Sequence, residues 1–154
     1  RWLERLRASI GEFEDVLDFR IGVERRVAEL AAARRTSDDL DALRTSVTEL
    51  AASTTLSSYR AADAAFHKAL SRAAHNELLE RAVFDARAAL FFPMDLLDYE
   101  PTTAQTAREH DAIVRAVERG DGAAAARAVA VHLEHTRTKL HSMLDDHTQP
   151  KGPR

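Results

Sequence analysis

Helix breakers are nearly absent from this chain, and that limits what it can fold into more than any other feature. Five Gly and four Pro occur in 154 residues, and two of the Pro fall within the last five positions. The sequence between them is rich in Ala, Leu, Arg and Glu, residues that lose little conformational freedom on entering a helix. Apolar residues recur at three- and four-residue steps, while the alternation expected of strands is weak throughout. Hydrophobic residues at 45% and charged residues at 31% supply both a core and a solvated face. The length suits one domain with a sizeable core. These features predict an all-α fold, an antiparallel bundle of six or seven helices.

The breaks between helices can be read in turn. A short helix over Trp2 to Ser9 precedes a longer one from about Gly11 to Arg35, whose apolar stripe includes Phe13, Val16, Leu17, Ile21, Val27 and Leu30. Thr36 or Ser37 caps the next helix, which has acids in its first turn and carries Leu40, Leu43, Val47 and Leu50. Ser53 to Ser58 reads as a kink or loop, and a helix follows from about Tyr59 to Ala74. Asn76 caps a helix from Glu77 to about Phe92, which Pro93 ends or kinks, and Asp95 to Pro101 is the longest loop. Thr102 or Thr103 starts another helix, stopped by Gly120, and Asp121 caps the last one, which runs to about His147. The domain is thus expected over residues 1–147, with a disordered tail over 148–154.

Composition excludes several function classes. No cysteine is present, so disulfides, thiolate metal sites and cysteine nucleophiles are ruled out. The formal net charge of -3 argues against a polyanion-binding surface. No stretch approaches the roughly 20 apolar residues of a membrane span, and no leader pattern opens the chain, so a cytoplasmic location is expected. The first residue is Arg1 rather than Met, which suggests a piece of a longer protein.

Four polar residues stand out by position. Asp63 and His67 are one helical turn apart and share a face, with Phe66 and Leu70 marking the buried side nearby. His110 sits in an apolar stripe with Ile113, Val114 and Val117, and His132 lies between Val129 and Leu133. Polar groups aimed into a core are costly unless matched, and a divalent cation is one match for a carboxylate and three imidazoles. Hydrogen-bonded core histidines, with a helix-surface pair at Asp63 and His67, are the other reading, and the spacing alone leaves both open. Of the remaining histidines, His75 falls at a helix end near the last carbonyls. His135 is a rival ligand, and His141 and His147 are expected in solvent.

The run from Asp63 to Asn76 resembles the central signature of the C-terminal FCD domain of the GntR family of bacterial transcription regulators, FadR-type branch. Glu109-His110 through Gly120-Asp121 is similar to that family's second block and His132-Leu133 to its third, with the two histidines 22 residues apart. Arg20 to Glu24, Leu30 to Arg34 and Thr36 to Leu43 are similar to its opening helices. The resemblance covers roughly Phe13 to Met143 in order. It implies that Asp63, His67, His110 and His132 bind a divalent metal, zinc first, with nickel, manganese or iron also suited. It implies a small organic acid as effector and Arg20 as an arginine facing the pocket, where a guanidinium clamps a carboxylate bidentately. Salt bridging to Glu24 is the competing role for Arg20. Arg87, on a helix expected to line the same cavity, reads first as a surface charge and is carried as a second ligand-binding candidate. A homodimer is implied, and DNA binding only through a winged helix-turn-helix that this chain does not include.

The function expected is that of a ligand-sensing regulatory domain rather than an enzyme. A metalloenzyme acting on a small carboxylate is the first alternative, but no His-Glu-x-x-His or Glu-x-x-His motif occurs. A dimerisation bundle merely stiffened by metal is the second.

Overall fold

A computed structural model describes residues 2–95 and 103–148, with side chains described for 11–89, 103–142 and 145. Six helices and no strand are found among the described residues: α1 Trp2–Arg34, α2 Ser37–Ala51, α3 Leu56–Ala73, α4 Glu77–Asp95, α5 Thr103–Glu118 and α6 Gly122–Thr148. The fold is an all-α helical bundle, and no helix among these residues is long and apolar enough to cross a membrane.

Local chemistry sets most helix ends. Thr36 and Asp39 form a capping box, as Thr36 Oγ1 accepts from the Asp39 amide at 3.2 Å and Asp39 Oδ2 accepts from the Thr36 amide at 2.8 Å. Asn76 Oδ1 accepts from the amides of Leu78 and Leu79, both at 3.1 Å. Asp121 Oδ1 accepts from the Ala124 amide at 2.9 Å. Helix α5 ends in a Schellman motif: the Asp121 amide donates to the Ala116 carbonyl and the Gly120 amide to that of Val117, both at 3.0 Å. Gly120 takes φ +71°, a conformation that side chains with a Cβ resist.

Three boundaries differ from the sequence reading. Trp2–Ser9 is not a separate helix, because α1 continues unbroken through Gly11. A glycine inside a helix costs about 1 kcal/mol, and burial of Phe13 and Leu17 just beyond it supports the helix. Helix α3 starts at Leu56 rather than Tyr59, because Thr55 and Ser58 form a second capping box in which each side chain accepts from the other's amide at 3.1 Å. Helix α4 runs through Pro93 to Asp95. A proline in a final turn removes one amide donor and does not by itself unwind the turn. The expected loop from Asp95 to Pro101 falls, beyond Asp95, outside the described residues, as does the expected tail beyond Thr148.

Packing then gathers the helices. α1 lies against α3, α4, α5 and α6; α2 packs on α3 and α5; α3 packs on α4, and α5 on α6. Small residues allow close approach: Ala28, Ala31 and Ala32 of α1 and Ala125 and Ala126 of α6 are buried. Phe66, Leu70, Ile113, Val114, Val117, Val129 and Leu133 fill the centre of this core. Phe66 belongs to α3, Ile113 to α5 and Leu133 to α6, so the helices carrying Asp63, His67, His110 and His132 are fixed against one another by apolar contact. Gly120→Ala is expected to destabilise the fold by about 1–2 kcal/mol through its left-handed backbone. A lower urea midpoint with unchanged slope would confirm this, and an unchanged midpoint would contradict it.

Candidate metal centre

The three histidines and the aspartate singled out in the sequence come together inside the bundle. One ligand atom each from Asp63, His67, His110 and His132 lie within 4.8 Å of one another. Asp63 and His67 come from α3, His110 from α5 and His132 from α6. All three imidazoles are buried, His110 completely. Asp63 Oδ1 lies 3.7 Å from His67 Nε2 and 3.5 Å from His110 Nε2, and the Nε2 atoms of His110 and His132 are 3.3 Å apart.

Each ring is oriented by its surroundings. His67 Nδ1 lies 2.7 Å from Glu24 Oε2, and His132 Nδ1 lies 2.7 Å from Glu109 Oε2. A carboxylate accepts the Nδ1 proton, which leaves the opposite Nε2 with a free lone pair. His67 Nε2 is buried with no hydrogen-bond partner among the described residues. His110 is held differently: the Phe66 ring stacks on it with centroids 3.7 Å apart and planes 9° from parallel.

Two arginines tie into the same cluster. Arg20 Nε donates to Glu24 Oε1 at 2.7 Å, so the salt bridge weighed in the sequence is present, but it lies in the interior. Arg20 Nη2 is buried without a partner among the described residues. Arg87 is not the surface charge expected. Its Nη2 donates to Asp63 Oδ2 at 2.8 Å, and its side chain is only 12% exposed.

Charge and burial set the protonation states. Burial raises the Glu24 pKa, but the Arg20 guanidinium and His67 outweigh it and hold Glu24 well below the usual carboxylate range. Asp63 is likewise opposed by burial and held ionised by Arg87 and the histidines. Glu109, opposed by burial, is drawn down to about 2 by hydrogen bonds from His132, His135 and Gln105. Burial, then the Arg87 charge, push His67 down to about 4, against the pull of Glu24 and Asp63. Burial and the neighbouring His132 push His110 well below its ordinary value. At neutral pH the cluster therefore offers lone pairs on His67 and His110 and anionic oxygens on Asp63. Such a donor set can hold a divalent cation.

The other histidines stand apart from this cluster. The His75 ring reaches Asp39 on α2 at 2.8 Å rather than the carbonyls at its own helix end, because its backbone turns left-handed at φ 49°. His135 is half exposed and bonded to Glu109 at 2.5 Å, not joined to the four donors. His141 is exposed but paired with Glu14. The side chain of His147 lies outside those described. The sequence reading missed Glu24 and Glu109 as partners of the rings. Glu24 is 43 residues from His67, so its only sequence signal was its i,i+4 spacing from Arg20.

An all-helical bundle that gathers a carboxylate and three imidazoles in its interior is the class of protein this fold and site define. Comparison with known proteins gives the family. The FCD domain matches residues 15–135. The chain is 29% identical over 145 residues to the HTH-type transcriptional regulator LutR of Bacillus subtilis (strain 168), covering 90% of this chain and 66% of that protein. It is 30% identical over 122 residues to the galactonate operon transcriptional repressor of Escherichia coli (strain K12), covering 77% of this chain and 53% of that one. The chain thus spans less than two thirds of the length of either relative. It belongs to the FCD domain family of GntR-type transcription regulators.

The depressed His67 pKa gives a pH dependence with a definite sign. Between its ordinary value of 6.5 and about 4, the unfolded chain binds a proton that the fold does not. Stability of the metal-free protein is therefore full above pH 6.5 and falls as the pH drops through that window, by about 2 kcal/mol at pH 5 from His67 alone. Thermal melting from pH 7 to 5 measures this, and a melting temperature that rises on acidification would contradict it.

Proposed function

We propose that this chain is the ligand-sensing domain of a transcription regulator, and that it binds a small organic acid at a divalent metal held by Asp63, His67, His110 and His132. The observation that carries the reading is the convergence of those four donors in the bundle interior, with His67 Nε2 lacking any partner among the described residues. A buried acceptor left unmatched is costly, and a cation is the partner that would satisfy it together with the three other donors. Three neutral nitrogens and one hard oxygen suit zinc best, and also nickel, manganese or iron. When bound, the ion would supply positive charge and coordination positions open to a carboxylate.

The arginines support an acid as the effector. Arg20 Nη2 is a buried donor without a partner among the described residues, suited to a carboxylate oxygen. Arg87, through Asp63, places a second guanidinium beside the cluster. One relative is the repressor of a galactonate operon, and galactonate is a hydroxy-carboxylate, which fits this chemistry.

Helices α3, α5 and α6 meet at the four donors, and α1 and α4 join them through Arg20, Glu24 and Arg87. An acid that binds one packing of these helices better than another shifts the equilibrium between them. In a full-length regulator that shift would pass to a winged helix-turn-helix and change operator binding. Homodimerisation follows from the two half-sites such regulators read.

Protein prepared without chelator should contain about one divalent ion per chain, and His110→Ala and His132→Ala should each abolish tight binding while His141→Ala does not. Elemental analysis and metal titration test this; substoichiometric metal without uptake, or equal affinity in all three variants, would refute the site. Arg20→Ala should weaken binding of a galactonate-like acid at least tenfold while changing metal affinity less, as calorimetry can separate. An unchanged acid affinity would remove Arg20 from the pocket.

A further inference from the structure

Glu24 is the most buried carboxylate among the described residues, at 1% exposure, and neither of its oxygens is idle. Oε1 accepts from Arg20 Nε and Oε2 faces His67 Nδ1, each at 2.7 Å. Ionised carboxylates are rarely enclosed in a core unless a partner requires them there. Arg20 alone does not require it, because an arginine and a glutamate one turn apart pair equally well on a helix surface. The group that needs an acceptor at this depth is the imidazole of His67.

From this geometry we propose that Glu24 is a positioning residue that fixes the tautomer of His67, keeping its proton on Nδ1 so that Nε2 presents a lone pair to the cation site. The inference rests on the metal-binding reading above and goes beyond it, to a residue that contributes no ligand atom. Glu109 stands in the same relation to His132, but more loosely. It is 14% exposed and divides its oxygens among His132, His135 and Gln105. His110 has no carboxylate at Nδ1 among the described residues, so its tautomer is not imposed in this way.

The isosteric variant Glu24→Gln should reverse this tautomer. An amide has a single oxygen, and the Arg20 guanidinium is always a donor, so that oxygen goes to Arg20. The amide NH2 then faces His67 Nδ1, which must accept. His67 is driven to the Nε2–H tautomer, and its proton occupies the lone pair that a metal needs. Glu109→Gln lacks a permanently charged donor to orient its amide, so it should perturb His132 less.

Nitrogen-15 NMR of the metal-free protein reads the tautomers directly. In the wild type, His67 and His132 should both show the Nδ1–H pattern, with His110 as an internal comparison. In Glu24→Gln, His67 should move to the Nε2–H pattern, and titration with zinc alone should show affinity reduced by about 10- to 100-fold. Glu109→Gln should lose less. An Nε2–H pattern at His67 in the wild type would overturn the proposal, as would unchanged zinc affinity in a folded Glu24→Gln. If Glu24→Gln does not fold, the wild-type spectrum still decides. Wild type that takes up no zinc yet shows His67 as Nδ1–H would sink the metal reading and leave the tautomer assignment standing.

Discussion

Burying three imidazoles and an ionised carboxylate in a helical core is the constraint around which the rest of this structure is arranged. Each such group loses its water, and the loss must be matched in place. The match is a set of short connections: Arg20 to Glu24 to His67, Arg87 to Asp63, and Glu109 to His132. Each link joins a donor to a carboxylate, and each carboxylate touches a donor of the cluster or is itself one. What these links leave unmatched is concentrated at the centre, where His67 Nε2 has no partner among the described residues. Polar networks of this kind confer uniqueness when complete and cost stability when incomplete, so their missing member is a chemical clue.

The scaffold delivers those groups by ordinary means. Capping boxes at Thr36 and Thr55 and the Schellman turn at Gly120 fix where helices start and stop. Alanines on α1 and α6 let backbones approach. Phe66 serves both purposes at once, filling the core and stacking on His110. Because α1, α3, α4, α5 and α6 all contribute to one polar cluster, a change at the cluster is a change in how five helices pack. That is the physical requirement for a domain that reports ligand binding to a distant partner.

Much of this was legible in the sequence, for identifiable reasons. Helix periodicity and cap chemistry are local, so Thr36, Asn76, Gly120 and Asp121 could be placed from the residues around them. Gly11 reads as a break, yet packing beyond it carries the helix across, and the Thr55–Ser58 capping box that starts α3 falls in a stretch that reads as a kink or loop. His110 and His132 were visible because they sit among apolar residues where a polar group is out of place, and Asp63 and His67 because they share a helix face beside Phe66 and Leu70. Their supporting carboxylates were not. Glu24 and Glu109 lie beside residues that already explain them, an arginine one turn away and a histidine next in chain, and only the crossing of helices shows what they touch. The surface-charge reading of Arg87 fails for the same reason, since its partner Asp63 is 24 residues away on another helix.

Sequence likeness defines the family, and the burial of polar groups marks one centre in the bundle interior. The most direct test is a crystal structure of the zinc-loaded protein with anomalous diffraction at the zinc edge. A single strong peak should lie about 2.0–2.2 Å from Asp63 Oδ1 and from the Nε2 atoms of His67, His110 and His132. A peak at His75 and Asp39, at His141 and Glu14, or nowhere in the bundle interior would contradict the account.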